Sequence, residues 1–93
     1  ANLANARAQA ELYYDENDTS YGTGTTLTAD AGVCGTGPNT ISSAVDAASG
    51  ACYADEDRWV AKAELSDDTV FCVDSTGHAG VASTTVASAS MCN

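Results

Sequence analysis

Positive charge is what this 93-residue chain has least of: Arg7, Arg58 and Lys62 are its only basic side chains, against thirteen acidic ones, for a formal net charge of −10. Three scattered cations cannot form the basic stripe that neutralises phosphates and releases counterions, so nucleic acid is excluded as a direct partner. An anionic membrane surface is disfavoured for the same reason. No stretch approaches the ~20 apolar residues of a membrane span, and no basic start, apolar run and cleavage site marks a signal peptide. Large side chains are scarce too, with one Trp, one Phe, one Met and four Tyr. A single domain of this length buries too little apolar surface to be held by its core alone, so a staple is expected.

Cys34, Cys52, Cys72 and Cys92 supply that staple. None forms a close Cys-x-x-Cys pair of the zinc or redox kind, and an even count in a short chain fits two disulfides. Such bonds persist outside the reducing cytosol, which points to a periplasmic, surface-exposed or extracellular protein whose acidity keeps it soluble.

Residues 1–14 are good helix formers with Leu3, Ala6, Ala10 and Tyr13 recurring at three- and four-residue steps, which predicts an amphipathic helix. It opens on Ala1 without an N-cap, and the chain has no initiating Met, so this segment reads as the continuation of a longer helix. Residues 15–37, punctuated by glycine, predict a long loop with at most one short strand. A second, short helix is predicted from Pro38 to Ala48 on the spacing of Ile41, Ala44, Val45 and Ala48, with Thr40 or Ser42 as its cap and Gly50 as its stop. Arg58 to Leu65 alternates, with Trp59, Ala61, Ala63 and Leu65 on one side and Val60, Lys62 and Glu64 on the other. Residues 69–74 and 78–82 predict two further strands, joined by turns at Asp67-Asp68 and Ser75-Thr76-Gly77.

The fold class that follows is α+β: an N-terminal helix packed on a small antiparallel sheet. The chain divides into the end of the first helix (1–15), a long loop carrying a short helix (16–57), the sheet (58–82) and a C-terminal tail (83–93). Trp59, Leu65, Phe71 and Val73 are expected to face Leu3, Leu12 and Tyr13. Strand alternation then sends Cys72 to the opposite side of the sheet, where the tail can reach it. Cys72–Cys92 and Cys34–Cys52 are the preferred pairs, each contributing roughly 3 kcal/mol, although four cysteines permit three connectivities.

The run from Ala6 to Tyr14, followed by Asp15-Glu16-Asn17 and Ser20-Tyr21, resembles the end of the long first helix of type IV pilins and its exit into the αβ-loop. The Phe71-Cys72-Val73-Asp74-Ser75-Thr76-Gly77 run resembles a late sheet strand and turn of the same family, and a closing Cys92 the end of its D-region disulfide. These stretches cover about a third of the chain. The resemblance implies a structural subunit of a cell-surface filament used for adhesion, motility or DNA uptake. Its subunits associate through the N-terminal helix, and an apolar extension of that helix anchors it in the inner membrane before assembly. The related reading is a pseudopilin of a type II secretion system; a small secreted disulfide-stabilised binding module is the alternative of different ancestry. No catalytic residue, cofactor or enzymatic activity is implied.

Other chemistry is carried by few residues. Ser75 and His78 could serve as nucleophile and base, but no third group is evident to orient them, and Asp74-Ser75-Thr76-Gly77 reads as a hairpin turn with no second copy to complete an aspartic protease. Asp15, Asn17 and Thr19 alternate as in a calcium loop, yet Ser20 stands in place of the required glycine. Asp55 and Asp57, with Asp67 and Asp68, are acidic turns that would hold calcium if any group does. Asn17-Asp18-Thr19 is a glycosylation sequon in an expected loop. Trp59, Tyr13, Tyr14, Tyr21 and Tyr53 could serve an adhesin, but are more economically read as core.

Overall fold

The computed structural model describes residues 6–35, 40–47, 49–65, 68–82 and 85–92. Its centre is a five-stranded antiparallel sheet in the order β1-β2-β3-β4-β5: Thr28–Ala29, Ala51–Ala54, Trp59–Glu64, Val70–Asp74 and Ala79–Ala82. Ahead of the sheet stands α1, Ala6–Glu16; a single 3-10 turn, Gly32–Cys34, and the short α2, Ser42–Ala47, fill the connection from β1 to β2. Residues 1–5 of the expected first helix lie outside the described residues, as do Pro38 and Ala48 at the ends of the second.

The sheet is larger than the sequence predicts. The strands expected at 58–65, 69–74 and 78–82 correspond to β3, β4 and β5, and β1 is the one short strand allowed within 15–37, but β2 falls in a segment read as loop. β2 pairs with β3 from Ala51↔Lys62 to Ala54↔Trp59. Four residues flanked by Gly50 and by Asp55-Glu56-Asp57 are too short to show a convincing period of their own. What makes them a strand is a partner: β3 is buried on both faces up to Ala63 and its open edge must be paired. Gly50 permits the approach, since a Cβ there would collide with the Lys62 carbonyl.

Alternation divides the core between the two faces of the sheet. On one, Cys52, Ala54, Trp59, Ala61, Ala63 and Val73 pack with Ala6 and Ala10 of α1, with Val33 and Cys34, and with Val45 of α2 and Ile41 just ahead of it. On the other, Tyr53, Val60 and Cys72 pack with Leu27 and Cys92, and Ala51, Ala82 and Met91 complete the cluster. The helix covers its face through small residues. Ala6 and Ala10 are buried while Leu12 is 50% exposed, which corrects the expectation that Leu12 anchors the helix. Leu65, expected in the same cluster, is 40% exposed at the end of β3. Ala6 and Ala10 supply methyl groups at the centre of this face, Tyr13 packs against it from the helix as expected, and Trp59 and Phe71 supply the bulk from the sheet side.

Each face carries one disulfide. Cys34–Cys52 ties the 3-10 turn to β2 on the helix side, with Cα atoms 5.5 Å apart. Cys72–Cys92 ties the tail to β4 on the other, with Cα atoms 5.8 Å apart. Both separations fall in the range that a disulfide spans without moving the backbone.

Candidate functional site

The most heavily bonded polar constellation lies where the tail crosses the second face. Strand alternation aims Lys62 at this face, where the sequence reading places it opposite the core. The structure buries it completely, at 0% exposure. Its Nζ donates to the carbonyls of Thr85 (3.1 Å) and Ser88 (2.7 Å) and to Ser90 Oγ (3.2 Å), and sits 6.0 Å from the centroid of the Tyr53 ring. Tyr53 Oη donates to the Val86 carbonyl at 2.9 Å. A buried ammonium keeps its charge only when its protons are accepted, and here the tail backbone accepts them. Burial pushes the Lys62 amine below its ordinary value.

Asp74 closes the other end of this tail latch. Its Oδ2 accepts from the Cys92 N–H at 3.1 Å, and its Oδ1 accepts from Thr76 N (3.0 Å), Thr76 Oγ1 (2.6 Å) and His78 N (3.2 Å). One fully buried carboxylate therefore shapes the β4–β5 turn and holds the end of the chain. Burial pushes its carboxyl up, and the hydrogen bonds from Thr76, Cys92 and His78 outweigh that, leaving it below the usual carboxylate range. Nothing in the sequence singles out Lys62 and Asp74 as a pair of anchors. The only available signal is a charged residue within a largely apolar strand, Lys62 between Ala61 and Ala63 and Asp74 after Val73.

The residues named from sequence fall as follows. Ser75 Oγ accepts from the Trp59 N–H at 3.3 Å, and no hydrogen bond joins it to His78 among the described residues. His78 Nε2 is buried without a hydrogen-bond partner among the described residues. Asp55, buried, is consumed within its own turn: Oδ1 accepts from Asp57 N and Arg58 N, both at 2.8 Å, and Oδ2 pairs with the Arg58 guanidinium at 2.8 Å. Burial raises its carboxyl, but the bonds from Arg58 and Asp57 bring it below the ordinary value. Asp57 and Asp68 are exposed, Asp67 lies outside the described residues, and no group of three or more metal-ligating side chains gathers among the described residues.

Asn17 is exposed, and its Nδ2 donates to the Tyr13 carbonyl at 2.9 Å, capping the end of α1. Among the aromatics Trp59 and Tyr53 are core, while Tyr14 and Tyr21, half-buried, stack with centroids 4.5 Å apart. Burial, reinforced by Tyr14 and by the Glu11 carboxylate, pushes the Tyr21 phenol up. The outer face of α1 presents Arg7, Ala8, Glu11, Leu12, Asp15 and Glu16 to solvent.

No protein-family model, no curated protein and no solved structure matches this chain.

Proposed function

We propose that the chain is the globular part of a type IV pilin or pilin-like protein, a structural subunit of an extracellular filament. The observation that carries this reading is α1: a helix docked on one face of the sheet through Ala6 and Ala10, with its outer face, Leu12 included, left to solvent. A helix that fills its own core with alanines and exposes a leucine is suited to a second packing surface. Support of a different kind comes from the latch. The tail is bonded to the sheet at Lys62, Tyr53, Asp74 and Cys72, as a subunit under mechanical load requires, and both disulfides suit an oxidising exterior.

In this reading the work of the protein is packing. The first helix, continued by an apolar segment ahead of Ala1 in the gene product, anchors the subunit in the inner membrane and then lies in the filament core. The sheet, its loops and its acidic side chains form the outer surface. The experiment is deletion of the gene in its native host, followed by electron microscopy with an antibody raised against this chain. The reading expects labelled filaments that vanish on deletion. A gene product with no apolar helix ahead of Ala1, or a chain found free in the medium, overturns it.

A further inference from the structure

We propose that the β5 edge of the sheet is a docking site for an extended, cationic peptide segment of another protein, which adds to β5 as a sixth strand. β5 ends the strand order, and among the described residues no other backbone pairs with its outer side. The hydrogen-bond phase follows from the turn. Asp74 N donates to the His78 carbonyl, so Asp74 and His78 are a bonded pair, and alternation makes Cys72↔Gly80 and Val70↔Ala82 bonded pairs as well. The N–H and C=O groups of Ala79 and Val81 therefore point away from the sheet, at the spacing a new strand needs.

The side chains around this edge specify what the strand should carry. Val81 is 59% exposed. Beside it a groove of about 370 Å³ has an apolar floor of Val70, Ala82 and Val86 and an acidic wall of Glu64 and Asp68. An aliphatic stem ending in a positive charge fits both parts at once: the methylenes of a lysine or arginine cover the valines while the head group reaches the carboxylates. The net charge of −10 favours the same class of partner over the whole molecule and opposes edge-to-edge pairing of two copies. Main-chain bonds would supply affinity and the groove the preference for a cation, the division of labour usual in strand addition.

The probe is a capped hexapeptide of alternating valine and lysine, titrated into the ¹⁵N-labelled chain, with the valine–glutamate peptide as control. Saturable shifts and slowed amide exchange at Ala79 and Val81, with shifts at Glu64 and Asp68, are expected for the lysine peptide alone. The Glu64→Gln/Asp68→Asn double variant should bind about tenfold more weakly, as two partly exposed ion pairs imply. Val81→Lys, at a solvent-exposed position, should abolish binding while leaving the rest of the spectrum unchanged. Equal binding of the glutamate peptide, shifts centred away from β5, or no saturable shift overturns the proposal. So does concentration-dependent broadening of β5 in the absence of peptide, which would assign the edge to a second copy of the chain.

Discussion

At the scale of single residues, Asp74 and Lys62 carry the largest consequences because each bonds to several partners from a buried position. Replacing Asp74 by alanine orphans the Cys92, Thr76 and His78 N–H groups together, and should destabilise by about 2–3 kcal/mol in chemical denaturation, the range for hydrogen bonds to a charged group. The pH signature separates this from a general packing loss. Because the folded carboxyl lies below its ordinary value of 3.8, its stabilisation is complete above that pH and disappears as pH falls through the lowered folded value. The stability gap between the wild type and Asp74→Asn should therefore close in acid, and a gap that stays constant to pH 2 would contradict the assignment. Lys62→Met keeps the aliphatic bulk but leaves the Thr85 and Ser88 carbonyls without their donor. It should speed amide exchange in residues 85–90 more than in β3 or β4. Gly50 shows a different dependence: with the Lys62 carbonyl in the path of any Cβ, Gly50→Ala forces β2 away from β3.

At the scale of elements, α1 and the tail are held by opposite means. α1 is held by shape. Ala10 has no exposed surface and sits within the core cluster on this face, so Ala10→Leu should destabilise by about 1–3 kcal/mol through overpacking. Leu12→Ala, on the outer face, should change stability by less than about 0.5 kcal/mol, measured by thermal unfolding of the isolated domain. That contrast is also informative about function: if Leu12→Ala leaves the domain intact yet impairs filament formation, the exposed face of α1 is an assembly surface. The tail has no regular structure and is held by bonds. Cys72→Ser/Cys92→Ser should lower stability by roughly 3 kcal/mol, with limited proteolysis cutting first within residues 85–92. β2 lies between these cases. It is a strand because β3 requires an edge partner, and this is why its four residues read as loop when considered alone.

At the scale of the whole molecule, two disulfides worth about 6 kcal/mol together are comparable to the entire stability of a domain this size. Reduction should therefore unfold the chain near room temperature rather than merely lower its melting point. Native protein that titrates four free thiols while keeping its near-ultraviolet circular dichroism would refute the dependence. A net charge of −10 on so small a body also stores self-repulsion. Raising salt from about 10 mM to about 150 mM should increase the melting temperature, because the like charges are exposed and become screened.

The sequence alone carried the α+β class, the amphipathic character of the first helix, the three later strands and the sending of Cys72 to the face opposite the helix. Each of these is a local period or a direct corollary of one, readable within a few residues. The sequence could not show that the segment from Thr28 to Ala54 contributes two strands, that Leu12 and Leu65 lie outside the core, or that Lys62 is buried. These depend on which surface comes to lie over which: α1 turns Ala6 and Ala10 to the sheet and leaves Leu12 to solvent, and the crossing of the tail turns an outward-facing lysine into an internal anchor. Periodicity tells which way a side chain points, and only the assembled chain decides whether water is there to meet it.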